Sequence, residues 1–239
     1  MNPLHQFEIR PILDIPVGGI NLAFTNSSLA VALSCSIFII LMLLCIRKRN
    51  FVPSRAQAFA EVAYQAISAM VDENVGKKGN RFFPFIFSMF FFILSGNAFG
   101  LIPYCFTFTS HIIATFTLAM IAFSLATIYG FAKHGLHFLS YFVPRGIPTV
   151  FGLLLMPIEL FSYLSRPISL SIRLFANMMA GHTMLKVFAG FSALMGIWGV
   201  APLLVNIVLT GFEFLVAMLQ AYVFTVLTCL YLHDAVYLH

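Results

Sequence analysis

Apolar and polar positions fall in long blocks along this chain, not in short alternating strands. Three uncharged runs, residues 27–46, 82–106 and 112–132, are long enough to cross a bilayer, for which about 20 apolar helical residues suffice. The middle run contains Pro84 and Gly96-Asn97, which predicts a less regular helix than its neighbours. Residues 54–75 differ in kind. At about 100° per residue, Gln57, Glu61, Gln65, Ser68 and Asp72 share one side of a helix, with Phe59, Val62, Ala66 and Met70 opposite. Pro53-Ser54, with Gln57 three residues on, resembles an N-cap with a capping box. This segregation predicts a helix lying on the membrane surface; the alternative is a helix packed on a soluble partner domain.

The last block poses a problem of length. Beyond Gly146 only six side chains are charged. Helix over residues 149–190 would extend roughly 60 Å at 1.5 Å per residue, twice the hydrocarbon thickness of about 30 Å. Either Pro157 and Pro167 break it or it lies strongly tilted, and hydropathy does not choose. Gly190, Gly196, Gly199 and Pro202 mark the expected turn. A second apolar helix is expected over 203–235.

Composition agrees with this pattern. The chain has 239 residues, 61% of them hydrophobic and only 9% charged, against about 25% charged in soluble domains. It is read as an integral membrane protein of one domain, 1–239. The net charge of +5 is no nucleic-acid signal, because the basic residues sit in short loops. Cys35, Cys45, Cys105 and Cys229 stand singly in or beside apolar runs, without metal-ligand spacing, and are expected to pack as small hydrophobes. No metal or cofactor is expected. The first 26 residues lack the basic-then-apolar order of a signal peptide.

Loop charge supplies an orientation. Arg47, Lys48, Arg49, Arg55, Lys77, Lys78 and Arg81 lie between the first two spans, and Lys133 and Arg145 follow the third. The connection over 107–111 carries no Lys or Arg. The positive-inside rule then puts the N-terminus outside and the basic loops in the cytoplasm or matrix.

The remaining polar residues are spaced to share faces. Glu159, Arg166 and Arg173 are separated by seven and seven, which leaves them within about 20° per step of one line on a helix. Asn177 extends that stripe. His182, nine residues after Arg173, falls about 180° away. In the second helix Asn206, Glu213 and Gln220 repeat the seven-residue spacing. An Arg near the bilayer centre costs about 3 kcal/mol on insertion scales, and it does not titrate away. A plain Arg173–Glu213 ion pair is the simplest account of that cost. Asn97, Asn177 and Asn206 can equally serve as interhelical glue, and Arg166 and Lys186 can snorkel. Against an isolated pair stands the presence of two whole stripes, the pattern of a hydrated path or proton relay. A fixed cation beside such a relay blocks proton passage and favours ionisation of an approaching carboxylate.

At "SRPISLSIRLFANMMAGH" and "GFEFLVAMLQAYVFTVLTCLYLHDA" the chain resembles subunit a of the F-type ATP synthases. The likeness extends to "FVPSRAQAFAEVAY", "SGNAFGLIPYCFTFTSH" and "KHGLHFLSYFVPRG", nearly the whole chain. The resemblance implies an all-α membrane fold: a spanning helix, a surface helix, a spanning hairpin, then two long, strongly tilted helices. It implies a stator with two offset half-channels serving a rotating ring of c-subunits, with b-type peripheral-stalk subunits and the rest of the complete complex as further partners. Arg173 would face the ring. His182 and Glu213 would form an acid/histidine pair in the outer half-channel, with Asn97 beside the inlet and Asn177 and Gln220 near the arginine. Glu159 would belong to the inner half-channel. His111 at the outer loop, and His233 and Asp234 at the inner end, are channel-mouth candidates by position. The implied location is a bacterial inner or mitochondrial inner membrane, and the subunit itself is not expected to be an enzyme. A cation-coupled secondary transporter is the alternative, although such folds are often inverted repeats and no repeat stands out here. A structural anchor would not need a buried Arg opposite a buried Glu.

Overall fold

The computed structural model describes residues 7–17, 20–46, 54–102, 105–135, 137–138 and 149–237. Arg47, Lys48, Arg49, Pro53 and Arg145, which entered the charge and capping arguments, lie outside these. The described chain is built from six α-helices preceded by one β-hairpin: β1 (Pro11–Val17), β2 (Ile20–Thr25), α1 (Asn26–Ile46), α2 (Arg55–Asn74), α3 (Phe83–Gly100), α4 (Ile112–His134), α5 (Thr149–Leu194) and α6 (Val200–Val236). Helices α1, α3, α4 and α6 are long and apolar enough to cross a membrane, and the chain is an all-α multi-pass membrane protein.

The hairpin was not expected. β1 and β2 pair antiparallel, with Val17 opposite Ile20 and Asp14 opposite Ala23. Asn26 ties it to α1: its Nδ2 donates to the Glu8 carbonyl and its Oδ1 accepts from the Arg10 backbone N–H.

Helix α2 starts where capping chemistry places it, with Ser54 Oγ accepting from the Gln57 backbone N–H at 3.3 Å. Its apolar residues divide between the bundle and the outside. Ile67, Met70 and Val71 are buried, whereas Phe59 and Val62 are about 60% exposed. The helix rests on α1, α3 and α6, anchored by Ile67, Met70 and Val71 in its C-terminal half, and Phe59 and Val62 stay outward.

The phenylalanines of α3 follow an i, i+4 line. Phe83, Phe87 and Phe91 form a ladder with centroids 5.6 and 4.7 Å apart. Tyr64 of α2 tilts onto Phe83 at 4.7 Å, and Phe38 of α1 stacks on Phe91 at 4.6 Å. Three helices are thus joined by ring contacts, which stabilise beyond the area they bury. α3 ends at Gly100, six residues before the expected boundary, where the sequence approaches Pro103 and the residue before a proline disfavours helix. Gly96 and Gly100 let the returning loop press close. A Cβ at 96 would lie 2.5 Å from the Phe108 ring, and one at 100 would lie 2.5 Å from Thr107 Cγ2.

The length problem resolves toward an unbroken rod. α5 runs 46 residues through both Pro157 and Pro167, or about 70 Å at 1.5 Å per residue. A helix of that length held within a bilayer of about 30 Å must be strongly tilted. Gly190 does not end it; the turn comes at Met195–Gly199, where Gly196 has φ +56°. Pro202 sits in the first turn of α6, where a missing N–H costs little. Helices α5 and α6 pack on each other, and α3 and α4 cover them. Leu170, Leu174, Met178, Ala221, Phe224 and Leu232 are buried in that core.

A buried acid and histidine with an exposed arginine

Helix phase decides what each polar residue of α5 meets. The buried line Leu170–Leu174–Met178–His182 advances by four, so its residues face α3, α4 and α6. Arg173 lies about 100° from Leu174 on the helix and is exposed between Ile172, itself 48% exposed, and the buried Leu174. Among the described residues no carboxylate stands within ion-pair distance of it. The simple Arg173–Glu213 pair is therefore not formed.

Glu213 turns instead to the other side. His182 Nδ1 is 3.5 Å from Glu213 Oε1, with His182 8% and Glu213 6% exposed. The carboxyl fits because residue 181 is glycine: a Cβ there would stand 2.6 Å from Oε1. The far nitrogen, His182 Nε2, is 3.2 Å from Thr107 Oγ1 in the α3–α4 loop. One turn beyond Glu213, the Ala217 carbonyl accepts a hydrogen bond from Asn97 Nδ2 at 3.4 Å. Gln220 is buried two turns beyond Glu213. Asn97 Oδ1, Gln220 Nε2 and both Glu213 carboxyl oxygens have no hydrogen-bond partner among the described residues. Each unpaired buried group costs about 1–3 kcal/mol. Stability alone gives no reason for such a cluster.

Asn177 is half-buried one turn after Arg173, and Glu159 is half-buried toward the start of α5. Neither is brought to the Glu213–His182 pair. His111 caps α4 at the same end as Thr107, stacked on Phe106 at 5.1 Å with Nε2 buried; burial lowers its pKa from the usual histidine value. His233 and Asp234 lie at the opposite end, at the close of α6. There Arg166 Nη1 donates to Asp234 Oδ2 at 2.7 Å, and the guanidinium lies 5.5 and 5.7 Å from the Tyr163 and Tyr231 rings. Arg166 therefore does not snorkel alone; it ties α5 to α6.

Sequence reasoning missed Thr107, Gly181, Tyr163, Tyr231 and the buried Thr115–Ser171 hydroxyl pair, 3.1 Å apart between α4 and α5. Only Gly181 carried a signal, as a small residue immediately before His182.

Comparison with known proteins agrees along the whole length. The profile of the family described as ATP synthase A chain matches residues 28–233. An ATP synthase subunit a of Rhizobium leguminosarum bv. trifolii is 51% identical over 243 residues, covering 99% of this chain and 97% of that protein. Those of Agrobacterium fabrum and Paramagnetospirillum magneticum are 49% and 46% identical, over 99% and 100% of this chain. The buried acid–histidine pair, the exposed arginine and these matches converge on one conclusion: the chain belongs to the ATP synthase A chain family.

Proposed function

We propose that this protein is the stator proton-channel subunit of an F-type ATP synthase, carrying protons to and from carboxylates on a ring of c-subunits through two offset half-channels. The observation that carries the proposal is the division of α5 into two chemistries. Arg173 is exposed on one side with no carboxylate at ion-pair distance among the described residues, while His182 meets Glu213 inside on the other. An exposed cation amid apolar side chains needs a counter-charge from outside the chain, and a ring carboxylate arriving on a neighbouring helix would supply it. While that carboxylate is beside Arg173 its ionised form is favoured; once it moves off into lipid, it must be neutralised by a proton. Arg173 would also separate the half-channels by repelling protons.

In this reading Glu213 and His182 exchange protons in the outer half-channel, with Asn97 and Gln220 lining it, Asn177 near the arginine and Glu159 in the inner one. His111 is placed toward the outer mouth, and His233 and Asp234 toward the inner. The orientation is supported by basic side chains gathered at one end: Lys133 Nζ donates to the Val236 carbonyl at 2.6 Å, and Lys78 lies 5.4 Å over the Tyr237 ring. By the positive-inside rule this end faces the cytoplasm, and the N-terminal hairpin faces the outside of a bacterial inner membrane. The subunit itself performs no bond-making chemistry; catalysis would reside in a peripheral head, linked through b-type stalk subunits.

The test is Arg173→Ala in the assembled complex in inverted vesicles. ATP-driven proton pumping is expected to vanish, and passive proton leak through the membrane sector to rise. Pumping that survives the substitution would refute the assignment.

A further inference from the structure

The contact between Thr107 and His182 has no role in the proton path as proposed above. Thr107 lies in the loop joining α3 to α4, only 5% exposed. Its seat is built by its neighbours. Gly100 supplies the space, since a Cβ there would lie 2.6 Å from Thr107 Oγ1, and Ser110 Oγ donates to the Thr107 carbonyl at 2.6 Å. The hydroxyl has two neighbours at hydrogen-bonding distance: the Gly100 carbonyl at 3.4 Å and His182 Nε2 at 3.2 Å.

A hydroxyl has one proton to donate and two lone pairs with which to accept. The Gly100 carbonyl can only accept, and it lies in the last turn of α3, where carbonyls lack an intrahelical donor. Both contacts are hydrogen bonds only when the Thr107 proton goes to Gly100 and the hydroxyl accepts from His182. In that arrangement His182 carries its proton on Nε2. In the neutral ring this leaves the lone pair on Nδ1, the nitrogen 3.5 Å from Glu213 Oε1.

We propose that Thr107 is a positioning residue of the proton path, holding His182 in the Nε2–H tautomer so that Nδ1 is the nitrogen that exchanges a proton with Glu213. This rests on the proton-channel reading and extends it to a residue with no titratable group. The exchange balances simply. Protonated Glu213 donates its Oε1–H to Nδ1; when the proton crosses, that O–H bond breaks and an N–H bond forms, giving carboxylate and imidazolium. Nε2–H stays on Thr107 throughout, so the ring need not turn. Without the hydroxyl acceptor the neutral ring can place its proton on Nδ1 and donate it to the carboxylate. That arrangement holds Glu213 ionised and offers it no lone pair.

The experiment compares Thr107→Val, Thr107→Ser and, as a control on α4, Thr117→Val, whose hydroxyl donates within its own helix to Ile113 O. Each is assayed for ATP-driven pumping in vesicles containing the whole complex. In parallel, 15N spectra of histidine-labelled complex read the His182 tautomer, with His182→Gln identifying the signal. Thr107→Val is expected to slow pumping about tenfold, as loss of one buried hydrogen-bond partner implies, and to shift His182 away from Nε2–H. Thr107→Ser should recover most of the rate and the tautomer. Wild-type His182 in the Nδ1–H form, or a Thr107→Val complex that pumps at the wild-type rate, would overturn the inference while leaving the channel reading intact. If Thr107→Val fails to assemble, the wild-type tautomer and the Thr107→Ser rate still decide. Undiminished pumping by Glu213→Gln would instead sink the channel reading itself.

Discussion

The Glu213 carboxyl of α6 rests directly on Gly181 of α5, with Oε1 and Cδ at 2.6 and 2.8 Å from where a Cβ at 181 would stand. The residue that makes room for the acid thus immediately precedes the histidine that meets it. Backbone conformation does not demand this glycine, since residue 181 is helical. Close approach does.

Gly181→Ala separates helix stability from function. Alanine in a helix interior is favoured over glycine by about 1 kcal/mol, and crowding a packed site costs about 1–3 kcal/mol, so the net effect on stability should be small. The new methyl nevertheless displaces the carboxyl from His182. Thermal unfolding of the purified complex should move by a few degrees at most, while ATP-driven pumping falls tenfold or more, a drop that corresponds to about 1.4 kcal/mol or more in activation free energy. Normal pumping by Gly181→Ala would show that the Gly181–Glu213 contact is dispensable.

Much of this arrangement was legible from spacing. Nine residues from Arg173 to His182 put the two on opposite sides of α5, and the structure has one exposed and the other buried. Seven-residue steps put Glu213 and Gln220 on one buried line. The partner of Glu213 was not legible from spacing, because periodicity fixes the phase within a helix but not which residue a facing helix presents; the family resemblance, not the period, named His182. The simple ion pair with Arg173, the cheapest account of the two charges and the one the paired stripes argued against, is not formed. Thr107 was invisible because a neutral hydroxyl in a loop has neither period nor charge. The buried anchors of α2, Ile67 and Val71, were not legible because only tertiary contact tells them from the outward Phe59 and Val62. The N-terminal hairpin was missed because its two short strands offered little periodic signal beside the membrane-length runs.

The Arg166–Asp234 contact calls for a different test, because it joins residues 68 apart in sequence and about a quarter to a third exposed. At that exposure solvent screens the charges, and a pair of this kind contributes up to about 1 kcal/mol. A double-mutant cycle with Arg166→Leu and Asp234→Asn, read by thermal unfolding of the complex, should give a coupling of that order. Arg166→Lys should restore only part of it, because lysine keeps the charge and loses the planar group that lies near Tyr163 and Tyr231. Strict additivity of the two single substitutions would mean that the pair does not hold α5 to α6.

The acid–histidine pair itself is tested by exchanging its members. His182→Glu leaves two carboxyls facing each other in a buried site, and Glu213→His leaves two imidazoles; in either case one charge state loses its partner, and a proton can no longer pass between an acid and a base. Each single variant should therefore lose most ATP-driven pumping. With both substitutions together one acid and one base again face each other, and the double variant should pump faster than either single one. Recovery should be partial, because the imidazole at 213 would press on Gly181 and the carboxyl at 182 would reach Thr107 with acceptor atoms where Nε2–H had donated. Pumping by the double variant no better than the worse single one would show that His182 and Glu213, although 3.5 Å apart, do not work as a unit.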